Sequence, residues 1–367
     1  MSYTFSEHPL VAADVASIAD DAALPWHLLS GCRVLVTGAT GLIGSLLVKA
    51  LLYHAAASGE ACTVVVLTRR AGYARELFAE YAQLSPHGIL EVVEGDVNAP
   101  MPPSCAADYV IHAASVTDSA TMVNCPVETI MTTVSGTRHV LECARQTAAR
   151  GCLFLSSMEV YGHPEHEWVR EGDMSGIRSD CVRNSYPLSK LLSENWCCAY
   201  AHEYGVPTRI ARLTLTFGPG IPLTDRRVFA QFARAVIKQE DIVLLTEGRT
   251  QRDYLYTADA VRALLAILLR GESGGIYNVS NPDSYVSIRE LAEHMRRLNP
   301  AVQVIVRPDA AAAAQYASEV HIRLDNRRLE ELHPFARTPL PTMVERLAGY
   351  LREPQLTERF EVHPTRA

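Results

Sequence analysis

The chain has 367 residues and a mass of 40.3 kDa, 48% apolar and 20% charged, which suits a large buried core and excludes disorder as a global description. Lys plus Arg number 34 against 41 Asp plus Glu, a formal charge of −7, so a nucleic-acid-binding surface spread over the molecule is excluded and only local anion sites remain. Nine scattered cysteines with no Cys-x-x-Cys pair suggest neither a disulfide scaffold nor a structural zinc site, and the expected location is the reducing cytoplasm.

Residues 1–30 read as an N-terminal extension. They contain no Lys or Arg, and Asp14, Asp20 and Asp21 break their apolar stretches, so no secretory leader is expected; Leu24-Pro25-Trp26 is the segment suited to dock on the body. From 31 to 215, short apolar runs alternate with helical stretches: Val34-Leu35-Val36, Val64 to Leu67, Leu90 to Val93, Tyr109-Val110-Ile111, Leu153-Phe154-Leu155 and Arg209 to Leu213. Runs this apolar suit strands covered on both faces, and parallel strands need helical crossovers, so the expected fold is an α/β, doubly wound parallel sheet. Residues 216–367 change rhythm, with a Gly218-Pro219-Gly220 loop, a helix near 226–239 and a strand at 242–245, and are expected to form a smaller α/β lobe that mainly binds substrate. The most apolar helix candidate, Val261 to Leu269, is closed by Arg262 and Arg270 and is too short to span a membrane; Ala310 to Ala314 reads as a loop or helix end.

The motifs follow the same order. Arg33 to Thr37 is a strand, Gly38-Ala39-Thr40-Gly41 a turn, and Leu42-Ile43-Gly44 the head of a helix. Gly38 permits the tight turn, Gly41 lets backbone approach a pyrophosphate, Gly44 packs helix on strand, and the helix N-terminus faces the anion. About twenty residues on, where an acidic side chain would bind the ribose of NAD, the chain has Thr68-Arg69-Arg70. Arg69 or Arg70 suits the 2′-phosphate of NADP instead, so NAD is expected with NADP left open. Phe154-Leu155-Ser156-Ser157-Met158-Glu159 is a strand ending in hydroxyls, and catalytic groups of an open parallel sheet belong at such strand ends. Tyr186 and Lys190 stand at i and i+4 on one helical face, with Pro187 in the first turn. An ammonium beside a phenol stabilises the phenolate, so Lys190 is expected to make Tyr186 a usable base. His163-Pro164-Glu165-His166 is not read as a metal site, because no further ligand cluster accompanies it, and Cys197-Cys198 reads as packing.

The Gly-x-x-Gly-x-x-Gly spacing, Gly95-Asp96-Val97 after the third strand, His112-Ala113-Ala114 after the fourth, and Ser157 with Tyr186 and Lys190 resemble the extended short-chain dehydrogenase/reductases. Within them the chain resembles the NAD-dependent nucleotide-sugar epimerases and dehydratases, UDP-glucuronate decarboxylases and 4,6-dehydratases in particular. The resemblance covers roughly residues 33 to 350 and implies a Rossmann-type fold. It also implies that Gly38, Gly41, Leu42, Ile43, Gly44, Arg69, Asp96, Val97 and Ala113 line the cofactor and that Lys190 holds the nicotinamide ribose. Ser157 and Tyr186 would then contact the reacting oxygen, and Arg252 of Arg252-Asp253-Tyr254 would grip the substrate diphosphate. A homodimer through the helices near 126–149 and 185–204 is implied as well.

Glu159 resembles the glutamate of the dehydratases and decarboxylases, where 4-epimerases usually have a small or neutral residue, and it suits proton transfer at sugar carbon 5 once carbon 4 is a ketone. Met158 stands where a dehydratase acid would sit and cannot donate a proton. Leu215 and Thr133 depart from the asparagines usual in the family. The expected function is thus an NAD(P)-dependent enzyme that modifies a nucleotide sugar through a 4-keto intermediate, decarboxylation or dehydration ahead of 4-epimerisation. A net reductase or dehydrogenase of a small hydroxy or keto compound is the alternative, and a nucleotide-sensing protein without chemistry is disfavoured by the retained Ser157, Tyr186 and Lys190. No nucleic-acid or membrane partner is expected.

Overall fold

The computed structural model describes residues 7–84, 86–309 and 319–353; the Ala310 to Ala314 run lies outside them. In chain order the strands are β1 (Arg33–Thr37), β2 (Cys62–Thr68), β3 (Gly88–Glu94), β4 (Tyr109–His112), β5 (Gly151–Ser157), β6 (Trp168–Val169), β7 (Thr208–Leu213), β8 (Leu215–Phe217), β9 (Ile242–Leu244), β10 (Gln251–Tyr256), β11 (Gly275–Val279), β12 (Asn281–Ser287), β13 (Val304–Val306) and β14 (His321–Leu324). The helices are α1 (Pro9–Ala19), α2 (Leu42–Ser58), α3 (Ala71–Ala82), α4 (Ser119–Asn124), α5 (Pro126–Gln146), α6 (Ser185–Tyr204), α7 (Val228–Lys238), α8 (Thr257–Arg270), α9 (Ile288–Arg296), α10 (Arg327–Leu332) and α11 (Leu340–Arg352).

Seven strands form one sheet in the order β11-β7-β5-β4-β1-β2-β3, and every adjacent pair in it is parallel. This is the Rossmann-type α/β architecture expected from the apolar runs. The pleat explains those runs: Val34, Val36, Val64 and Val66 join the core under α2 and α8, while Leu35, Val65 and Val110 face the other way, into the core with Val140 and Cys197 of α5 and α6. With both faces covered, the middle of such a strand reads as a near-continuous apolar run. The chain order reverses between β1 and β4, and at that switch point the strand ends open a crevice. Gly38 and Ala113, the first residues beyond those two strands, flank it.

The late part of the chain supplies the edge strand β11 and a second sheet in the order β12-β10-β14-β6, with β8 also pairing β10. The N-terminal segment is bound to the body. Leu24 and Trp26 are buried, Trp26 stacks on His54 at 4.0 Å, and the Asp14 carboxylate of α1 accepts from Tyr256 at 2.6 Å and pairs with Arg346 at 2.7 Å. Glu7 is buried between Lys49 and the Tyr81 hydroxyl.

Candidate active site

The glycine turn is built by its neighbours. Gly38 adopts φ +68°, a left-handed backbone, and a Cβ there would stand 2.5 Å from the Ala113 carbonyl carbon. A Cβ on Gly44 would lie 2.3 Å from the Gly38 carbonyl oxygen, so both glycines are demanded by the chain's own packing. Gly41 is different: its Cβ would meet only the Gly38 oxygen at 3.3 Å, and the residue is exposed. Its missing side chain leaves space above the turn, at the head of α2, whose N-terminus has no side-chain cap. Uncapped N–H groups beside open backbone form a cradle for a phosphate, so these residues fit a dinucleotide.

The other expected cofactor residues surround that turn. Leu42 and Ile43 are half-buried in the first turn of α2, and a Cβ on Gly220 would lie 3.5 Å from Leu42, so the Gly218 to Gly220 loop overhangs the same place. Arg69 is exposed at the end of β2, and Arg70 stacks on Tyr73 at 4.8 Å. Asp96 accepts from the Asn98 N–H at 2.9 Å, and Val97 is buried against the face of α5 that Gly136 leaves open. Behind them His112 is fully buried between Thr37 at 2.7 Å and Thr137 at 3.2 Å; burial, then the nearby Lys190, pushes it down to about 3, so it is neutral.

The groups expected to transfer protons lie where β5 ends against α6. Ser157 closes β5, and its hydroxyl accepts from the Glu159 N–H at 3.2 Å. Tyr186 and Lys190 are buried in the first turns of α6, and Lys190 Nζ donates to the Leu155 carbonyl at 2.6 Å. Burial brings Lys190 down to about 7, the carboxylate of Glu194 opposing it. Tyr186 is raised above its ordinary value, by burial first and by Glu159 second, against hydrogen bonding with Ser157, the charge of Arg183 and hydrogen bonding with Ser115. The acidification expected from Lys190 alone is therefore not the dominant influence: its ammonium lies 5.8 Å from the centre of the Tyr186 ring and is tied to a backbone carbonyl.

A buried ion pair fixes this junction. Arg212 of β7 forks both carboxylate oxygens of Glu194 on α6, at 2.9 and 2.6 Å, and Ser156 donates to the same carboxylate at 2.5 Å. Ser156 precedes Ser157 and Glu194 stands one helical turn beyond Lys190, so the network sets the distance between strand and helix. Met158 is buried, its sulfur accepting from Thr214 at 3.2 Å. Glu159 is 38% exposed and forked by Arg183, at 3.1 and 3.3 Å.

Arg252 stands apart, in β10. Its Nε is buried without a hydrogen-bond partner, and among the described residues no carboxylate pairs with it. Asp253 turns away and accepts from the Leu324 N–H at 2.7 Å. Arg227 is occupied by Asp225 at 2.6 Å. Sequence reasoning missed Arg183, Ser115, Glu194 and Arg212. Only Arg183 left a local sign, a cation one turn ahead of Tyr186. Among the described residues no group of three or more His, Cys, Asp or Glu is placed to hold a metal, all nine cysteines are free, and no helix is long and apolar enough to cross a membrane.

Comparison with known proteins shows the family and the fold. The family model described as NAD dependent epimerase/dehydratase family matches residues 34–280. UDP-glucuronic acid decarboxylase 6 of Arabidopsis thaliana is 30% identical over 276 residues, which cover 75% of this chain and 77% of the relative. Among solved structures, UDP-glucose 4-epimerase of Thermotoga maritima, with UDP-glucose, superposes with a TM-score of 0.72 at 20% identity, covering 88% of this chain and 99% of that one. The dTDP-glucose 4,6-dehydratase DesIV of Streptomyces venezuelae, with NAD and TYD bound, gives 0.70 at 23%, covering 89% and 98%. At these identities the structural likeness speaks for the fold.

Proposed function

The chain belongs to the NAD dependent epimerase/dehydratase family, and from that premise we propose that it decarboxylates a nucleotide-linked uronic acid, UDP-glucuronate first among candidates. The observation that carries this reading is the end of β5: hydroxyl, thioether and carboxylate follow one another at Ser157, Met158 and Glu159, beside Tyr186. Loss of water from carbon 6 needs an acid at that turn to expel the hydroxyl, and Met158 has no proton to give. Loss of carbon dioxide from a 4-keto uronate needs none, because the breaking bond leaves its electron pair to the neighbouring ketone.

NAD is the proposed cofactor, held at its pyrophosphate by the Gly38 to Gly44 turn and at its ribose by Lys190; when bound it supplies the oxidation of carbon 4 and the later return of the hydrogen. Tyr186 takes the proton of the 4-hydroxyl, and Ser157 holds that oxygen. Lys190, brought down to about 7, exchanges protons readily at neutral pH and supports the phenolate. After carbon dioxide leaves, the Glu159 carboxylate relays a proton taken from water to carbon 5, which carries the electron pair of the broken bond. Arg252, whose Nε lacks a partner among the described residues, takes the diphosphate. A homodimer through α5 and α6 is part of the reading, supported by exposed Val127, Ile130 and Met131 on α5 and Leu192 and Tyr204 on α6.

The test is incubation of purified protein with UDP-, dTDP-, GDP- and CDP-linked hexoses and uronates, followed by product mass. Loss of carbon dioxide from a uronate supports the proposal; loss of water or an unchanged mass with epimerised product points to the sister reactions. A steady demand for NAD(P)H on a substrate lacking a diphosphate contradicts the whole assignment.

A further inference from the structure

Arg183 belongs to none of the roles above, yet it holds the carboxylate of Glu159. It lies in the turn leading into α6, three residues before Tyr186, and Glu159 lies in the turn leaving β5, two residues after Ser157. The guanidinium meets both carboxylate oxygens, Nη1 to Oε2 at 3.1 Å and Nη2 to Oε1 at 3.3 Å. The pair therefore staples the two turns from which the serine and the tyrosine are presented. Both partners are about one third exposed, 30% and 38%, so the pair is open to solvent and adds little to stability.

We propose that Arg183 is a positioning residue for the proposed reaction: it fixes the Glu159 carboxylate beside the Tyr186 phenol and offsets that carboxylate's charge there. The inference rests on the reading of Tyr186 and Glu159 given above. Its physical basis is that an ionised carboxylate beside a phenol opposes the phenolate, whereas a cation at the same carboxylate restores it. Among the described residues, the groups facing Tyr186 are Glu159 from the turn after β5, Arg183 from the turn before α6, Lys190 from α6 itself, and the hydroxyls of Ser157 at the end of β5 and Ser115 in the loop after β4. Glu159 raises the phenol and Arg183 lowers it, while the buried His112 behind Lys190 is neutral. Arg183 thus keeps the Tyr186 base usable with the Glu159 carboxylate beside it.

The experiment has two arms. In the first, turnover of UDP-glucuronate is followed against pH for the wild type, Arg183→Gln and Arg183→Lys. Removal of the charge is expected to move the midpoint of the rising acid limb upward by about one pH unit, while lysine, which keeps the charge but not the fork, keeps the midpoint and loses rate. A merely structural role lowers the rate at every pH and leaves the midpoint in place, which overturns the proposal. The second arm needs no turnover: NAD-loaded protein carrying tyrosine labelled with carbon-13 at Cζ, with the Tyr186 signal identified by its loss in Tyr186→Phe. Its titration midpoint is expected lowest in Glu159→Gln, highest in Arg183→Gln and intermediate in the double variant. Coincident midpoints overturn the inference, and if the wild type acts on no sugar tested, the functional reading fails in the first arm while the second still decides the role of Arg183.

Discussion

Truncation of Glu194 is the sharpest test of how the site is held. Glu194→Ala leaves the Arg212 guanidinium with no carboxylate in a place where the two side chains are only 4% and 3% exposed, and it removes the acceptor of Ser156. Breaking a buried pair by deleting one partner costs about 3–5 kcal/mol. With an unfolding entropy of about 2.1 cal/mol/K per residue over 367 residues, a loss of about 4 kcal/mol lowers Tm by about 5 °C. The control is Glu142→Ala, which breaks a pair with Arg145 of the same 2.6 Å separation but with 35% and 42% exposure, and is expected to leave Tm within about 1 °C. Calorimetry of both variants reads the contrast, and activity should fall in Glu194→Ala even well below its Tm, because Ser157 and Lys190 ride on the elements it joins. Equal Tm values for the two variants would show that the network does not fix strand against helix.

Gly41→Val should keep the circular dichroism of the wild type and lose NAD binding by calorimetric titration, whereas Gly44→Val, whose Cβ would stand 2.3 Å from the Gly38 oxygen, should fail to fold properly. Arg252→Gln should raise KM for the nucleotide sugar by about 10- to 100-fold with a smaller effect on kcat, as loss of a charged diphosphate contact requires. Asp253 is raised from 3.8 to about 7, by burial against hydrogen bonding with the Leu324 N–H and Ser280. A carboxyl raised on folding contributes stability below pH 3.8 that is lost as the pH climbs through about 7, so Asp253→Asn should flatten the fall in denaturation midpoint between pH 4 and 8. An unchanged slope in the variant would count against that burial.

Much of the fold could be read from the chain because strands covered on both faces cannot hide: Val34-Leu35-Val36, Val64 to Leu67 and Leu153-Phe154-Leu155 all lie within observed strands of the main sheet. The helix expected near 226–239 is Val228–Lys238, and the strand expected at 242–245 is Ile242–Leu244. The glycine turn was legible because two of its three glycines answer to local sterics. What escaped was decided by distance in sequence. Gly275–Val279 looks like any short strand, and only its pairing with β7 makes it the sheet edge. Arg183 and Glu159 are 24 positions apart, and Glu194 and Arg212 are 18 apart, so their pairing exists only after α6 has docked. The expected effect of Lys190 on Tyr186 was a two-body argument; burial, Glu159, Arg183 and two hydroxyls make it a many-body one.

The central claim is most directly tested by UDP-glucuronate labelled with carbon-13 in its carboxylate, incubated with the protein in deuterium oxide and followed by NMR. The account predicts labelled carbon dioxide and a UDP-pentose carrying one deuterium at carbon 5, both abolished by Tyr186→Phe. Label retained in a sugar product, or release that persists in the phenylalanine variant, would contradict it.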